Sequence, residues 1–79
     1  MYPDYIKLAK IAYDTVLQTM IEGEKEHGAD EWENMPICDH KIHAGVHIMK
    51  SISHFETEDD IAHAMTRCAM IKYLEGDKP

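Results

Sequence analysis

The stretch DHKIHAGVHIMKSISHFETEDDIAHAMTRCAMIKYL, Asp39 to Leu74, decides how this chain folds. In its first half Ile42, Val46, Met49 and Ile52 recur at intervals of three and four, while His40, His43, His47 and His54 fall at spacings of three, four and seven. Both series mark faces of a single helix. In its second half Ile61, Ala64, Met65, Cys68, Ile71 and Leu74 repeat the pattern. Only a short connection, Phe55 to Glu58, separates the two, so an antiparallel hairpin is expected. Residues equidistant from about position 56 should then lie side by side, which levels His47 with His63 to Arg67 and brings His54 near Asp59 and Asp60. Thr57, followed at the third position by Asp60, resembles a capping arrangement. Glu58, Asp59 and Asp60 would then occupy a first turn, where the helix dipole favours negative charge. Gly45 removes a side chain in mid-helix, which predicts the close approach of another helix or a ligand.

Upstream, Tyr5, Ile6, Ala9, Ala12, Tyr13, Val16 and Met20 give a third helical stripe, widened by Leu8, Ile11, Leu17 and Ile21. Pro3 and Asp4 are good starting residues, and Gly28, Asn34 and Pro36 break the pattern afterwards. The prediction is an all-α, single domain over residues 1–79 with helices at about 4–26, 38–54 and 58–75, the last two forming the hairpin. By the same geometry Glu22, Glu24 and Glu26 should approach His40 and His43. Trp32, alone in its loop, either pins that loop to the body or stacks on a ligand.

A chain of 79 residues buries little, so the missing stability is expected from self-association, a metal ion or both. Two cysteines make no disulfide framework, and Cys38 and Cys68 are expected to be reduced, buried thiols. No signal pattern and no membrane-length apolar run is present, which points to a cytoplasmic protein without a membrane partner. The net charge of −7, with eight scattered Lys and Arg, argues against nucleic acid as a partner. Small phosphorylated ligands remain compatible, since a cation or a few basic side chains can screen a phosphate locally.

Six histidines exceed what packing asks of so small a domain. On a helix rising about 1.5 Å per residue, His40 and His54 stand roughly 21 Å apart and cannot share an ion. Two constellations follow. His43, His47 and His63 with Asp59 or Asp60 form a nitrogen-rich set for Zn, Mn, Fe or Ni. Glu22 and Glu26 with Glu56 and Asp59 or Asp60 form a carboxylate set for Mg or Mn. Cys-x-x-Cys, His-Glu-x-x-His, a Gly-rich phosphate loop and the His-Asp doublet are all absent. Hydrolysis would therefore need a metal-activated water and a histidine or carboxylate base.

The order of residues is more specific than the composition. Glu26-His27-Gly28, Trp32, Asp39-His40, His43-Ala44, His47-Ile48, Glu58-Asp59-Asp60 and His63-Ala64 with Arg67 together resemble the helical domain of phage-type dATP/dGTP diphosphohydrolases. The likeness spans roughly residues 20–75 through short motifs: the Gly and Trp of a loop, a histidine in mid-helix, an acidic turn and a His-Ala on the next helix. Val46 stands where that family has arginine, Arg67 where it commonly has asparagine. The Glu-Glu-x-x-Glu helix of the wider all-α pyrophosphohydrolases is represented by Glu22-Gly23-Glu24-Lys25-Glu26, with Glu56 and Asp59 keeping a Glu-x-x-Asp spacing.

The resemblance implies an oligomeric nucleotide-binding protein that cleaves a purine deoxynucleoside triphosphate to the monophosphate and pyrophosphate, in a host cytoplasm if phage-encoded. Glu22, Glu26, Asp59 and Asp60, with His43, would hold the divalent metal, Mg or Mn, with Zn as an option. His47 and His63 would act as ligands or as base and phosphate donor, Lys50 and Arg67 would offset phosphate charge, and Trp32 or Tyr13 would stack on the base. Two alternatives stand beside it. One is a non-catalytic protein that sequesters a nucleotide, such as a host defence signal, between subunits. The other is a helical protein-interaction module whose histidines merely titrate.

Overall fold

The computed structural model describes residues 3–28, 31–55 and 58–76. It is all-α: α1 (Pro3–His27), a short 3-10 turn (Glu31–Asn34), α2 (Ile37–Ser53) and α3 (Asp60–Gly76), with no strand among the described residues. Glu56 and Thr57, invoked above as a ligand and a cap, lie outside the described residues.

Local chemistry sets the ends of these helices. Gly28, at φ 91°, closes α1, a left-handed conformation that costs glycine no Cβ clash. His54 closes α2 in the same region, at φ 63° and ψ 26°, and the Phe55 and His54 amides donate to the carbonyls of Lys50 and Ser51. That is a Schellman turn. His54 thus serves the backbone at the helix end, with its side chain exposed. The cap of α3 is Asp59, whose Oδ1 accepts from the Ala62 amide at 3.0 Å. Helix α3 therefore begins at Asp60, two residues later than the acid run suggests.

Helices α2 and α3 pack closely and antiparallel, as the pairing of His47 with Asp60 and of His40 with Arg67 requires. Their register differs from the symmetric hairpin expected from sequence. Asp60, the first residue of α3, lies level with His47 rather than with the end of α2 at Ser53. Helix α2 therefore overhangs by about 9 Å. Helix α1 packs on α3 through a half-buried face of Ala12, Thr15, Val16, Thr19, Met20 and Gly23. This docking of small residues leaves Glu22, Glu24 and Glu26 exposed, and the expected approach of that helix end to His40 and His43 is not the principal packing.

The buried apolar side chains among the described residues are Ala44, Ala62, Ala64 and Leu74, so the helices meet mostly through small residues. The fold measures 39 × 38 × 23 Å. Its radius of gyration is 13.4 Å, against about 11.6 Å for a compact chain of this length. Cys38 and Cys68 are free but exposed, which corrects the expectation that they are buried: Cys68 lines an open groove rather than a closed core. No helix is long and apolar enough to cross a membrane among the described residues. Nothing approaches Gly45 either, since a Cβ built there meets no atom within 4 Å. Gly45→Ala should therefore raise stability by about 0.5–1 kcal/mol through helix propensity, read as a higher midpoint in urea denaturation.

Candidate functional site

The register of α2 on α3 gathers a polar cluster at the first turn of α3. Asp60 is fully buried, and its Oδ1 accepts from His47 Nδ1 at 2.6 Å. A carboxylate can only accept, so in the neutral ring the proton sits on Nδ1 and Nε2 keeps its lone pair outward from this bond. The second oxygen, Asp60 Oδ2, is buried with no hydrogen-bond partner among the described residues. An unpaired buried acceptor is costly, and in a cluster of ligand-type side chains it marks a place for a proton donor or a cation.

Around this pair stand Glu58, Lys50 and His63. Glu58 Oε1 lies 3.2 Å from His63 Nε2, and Lys50 Nζ lies 3.8 Å from Glu58 Oε2 and 4.0 Å from Asp60 Oδ1. The His47 and His63 rings stack with centroids 4.9 Å apart and an interplanar angle of 26°. One donor atom from each of His47, Glu58 and Asp60 falls within 4.8 Å of the others. One imidazole and two carboxylates at that separation suit a Mn- or Zn-sized ion, and Mg if water completes the shell.

The other sequence-derived candidates fall in different places. Glu22 and Glu26 are exposed on α1 and do not join the cluster. Asp59 gives its Oδ1 to the helix cap. His43 is exposed and sits within electrostatic reach of Arg67, Asp39, His47 and His40, outside the three-residue ligand group. Trp32 packs edge-on against Tyr73, with ring centroids 5.3 Å apart, so its loop is held to α3. Tyr13 is exposed on α1. Glu58 is the member that sequence reasoning did not select. Its signal is the Lys50 that the hairpin brings opposite it.

A second polar centre lies two helical turns away. His40 is fully buried, with Nε2 donating to the Trp32 carbonyl at 2.9 Å and Nδ1 accepting from Arg67 Nη1 at 3.0 Å. Because guanidinium only donates, this pairing fixes the tautomer. Arg67 Nη1 also donates to Met35 Sδ at 3.4 Å. His40 and Arg67 therefore fasten the Trp32 loop to both long helices. Partial burial pulls the Arg67 pKa below its ordinary value, without discharging it at neutral pH.

The chain matches no protein-family model, and no curated protein or solved structure matches it.

Two measurements test this geometry. His40→Ala strands the Trp32 carbonyl and Arg67, and should cost about 1–3 kcal/mol in urea denaturation followed by Trp32 emission. His43 has its pKa pushed below 6.5 by desolvation first, then by Arg67 and by the neighbouring His47 and His40, against the pull of Asp39. The unfolded chain then binds this proton more readily than the folded one. The corresponding stability is intact above 6.5 and declines as pH falls from there toward the folded pKa. His43→Gln should accordingly flatten the fall in Tm between about pH 7.5 and 5.5.

Proposed function

We propose that the chain binds a purine deoxynucleoside triphosphate and, with a divalent cation held by Glu58 and Asp60 beside His47, hydrolyses it to the monophosphate and pyrophosphate. One observation carries the reading: a fully buried Asp60 with one oxygen on His47 and the other unpaired, converging with Glu58, Lys50 and His63. The substrate class comes from the resemblance to the phage-type diphosphohydrolases; the cation and base come from the cluster itself.

Glu58 and Asp60 would hold a Mg or Mn ion there, which would supply positive charge to the phosphate oxygens and acidify water. The protein's own groups do the rest. Asp60 fixes the His47 tautomer and stabilises the imidazolium that forms when Nε2 takes a proton from the attacking water. Water adds at the α-phosphorus, the bond to the bridging oxygen breaks, and pyrophosphate leaves with the electron pair. Lys50, 3.8 Å from Glu58 and 4.0 Å from Asp60, offsets phosphate charge without needing to leave its position. His63, stacked on His47 with its Nε2 3.2 Å from Glu58 Oε1, holds the base in place and offers a ring N–H to a phosphate oxygen.

Retention of the nucleotide without cleavage is a second reading, favoured by the exposure of Glu22 and Glu26 away from the cluster. Among the described residues that leaves two carboxylates in the group, Glu58 and Asp60.

The test is incubation of the full chain with dATP or dGTP and Mn or Mg, with products separated by chromatography. Pyrophosphate and monophosphate are expected, and Asp60→Asn should slow their release by about 100-fold or more. The same substitution should weaken Mn binding by about 10- to 100-fold in calorimetry. Nucleotide recovered unchanged after heat denaturation would select retention. Failure to bind either Mn or nucleotide would sink both readings.

A further inference from the structure

The surface of this chain is too large and too apolar for a free monomer. It exposes 6138 Å², whereas a folded monomer of 9.1 kDa exposes about 4,900 Å². The excess, about 1,200 Å² per chain or about 2,400 Å² for two chains, falls at the lower end of the 2,000–5,000 Å² total that a permanent homodimer covers. Over α3, between α1 and α2, runs an apolar groove of about 390 Å³, walled by Ala12 and Val16 of α1, Ile48 of α2, and Ile61, Met65 and Cys68 of α3. No charged side chain lines it. On the solvent side of α1, Tyr13 and Leu17 stand exposed, each one residue from a helical neighbour of the groove wall.

We propose that this face is covered by a second copy of the chain, in a twofold dimer where the α1 ridge of each copy lies against the groove of the other. A twofold contact requires one patch to carry both a ridge and a complementary hollow, which α1 and the groove provide side by side. The identity of the occupant follows from the thinness of the fold. Among the described residues four small or medium apolar side chains, Ala44, Ala62, Ala64 and Leu74, are buried in the single chain. A partner that came and went would leave three helices holding a core of that size in water. The cover must be present whenever the chain is folded, and the one protein certain to be present is another copy. The net charge of −7 opposes association at long range, so added salt should tighten the dimer. The proposal is independent of the metal reading, since no groove-lining residue is a member of the His47, Glu58 and Asp60 group.

Sedimentation of the full chain and thiol labelling test it together. At low micromolar concentration the chain should sediment at twice 9.1 kDa. Cys68, in the groove, should resist alkylation while Cys38, also exposed in the single chain, reacts as an internal control. Ile61→Glu on the groove wall and Leu17→Glu on the ridge should each weaken the dimer by about 100-fold and release Cys68. Both positions are at least 46% exposed in the single chain, and circular dichroism checks that the helices survive. A wild-type chain that is helical but sediments at 9.1 kDa at about 100 µM overturns the proposal. So does a dimer that survives both substitutions with Cys68 freely reactive, because its contact must then lie elsewhere.

Discussion

The hydrogen bond from His47 Nδ1 to the buried carboxylate of Asp60 sets where α3 begins along α2, and the remainder of the fold follows from that register. A carboxylate out of water is tolerated only when partnered, and losing its partner costs several kcal/mol. A slip of one residue along the hairpin would strand it. Seven residues from each partner, His40 meets Arg67 on the same two faces, so the two polar ties agree on one register. Alanines do the complementary work. Ala44, Ala62 and Ala64 have no length to specify a register, but they let the backbones come close enough for the short polar bonds to form.

That one bond also creates the chemistry. By drawing the start of α3 down to the level of His47, it places Glu58 just outside the helix, His63 one turn in, and Lys50 across the gap. Asp60 sits in the first turn of α3, where the helix dipole eases the burden of its charge. The unpaired Oδ2 is the residual cost of this arrangement, and a bound cation would remove it. The two ties differ in one respect: His40 is surrounded on both nitrogens, while His47 keeps one nitrogen free of the Asp60 bond.

The dimensions impose a second constraint. A plate 23 Å thick has room for two helix layers, and α1 covers α3 on part of one side only. The apolar residues that would fill a third layer are present in the chain, on α1 and along the groove, but they face outward. Asp60 and Ile61 are consecutive, so the polar cluster and the groove share the first turn of α3 and diverge from it to different sides. A second copy lying in the groove would therefore sit beside the cluster without entering it.

The periodicities of Ile42, Val46, Met49 and Ile52, and of Ile61, Met65 and Cys68, were sufficient by themselves to specify helices, since a 3.6-residue repeat has no other regular home. Gly28 and Pro36 likewise marked their breaks, because glycine tolerates a left-handed backbone and proline fixes φ. The concentration of histidine and acid between residues 40 and 67 was legible too. Which histidine meets which acid was not. Symmetric folding about position 56 would put Asp60 beside His54, but His54 closes α2 in a Schellman turn and Asp59 caps α3, so the helices meet offset. Asp59 and Asp60 are neighbours of the same type, and only burial separates a capping acid from a site acid. Exposure was equally unreadable: the apolar stripes of α1 and α2 look like core in a sequence. Periodicity reports that a face is apolar, while only tertiary packing decides whether anything in the same chain covers it.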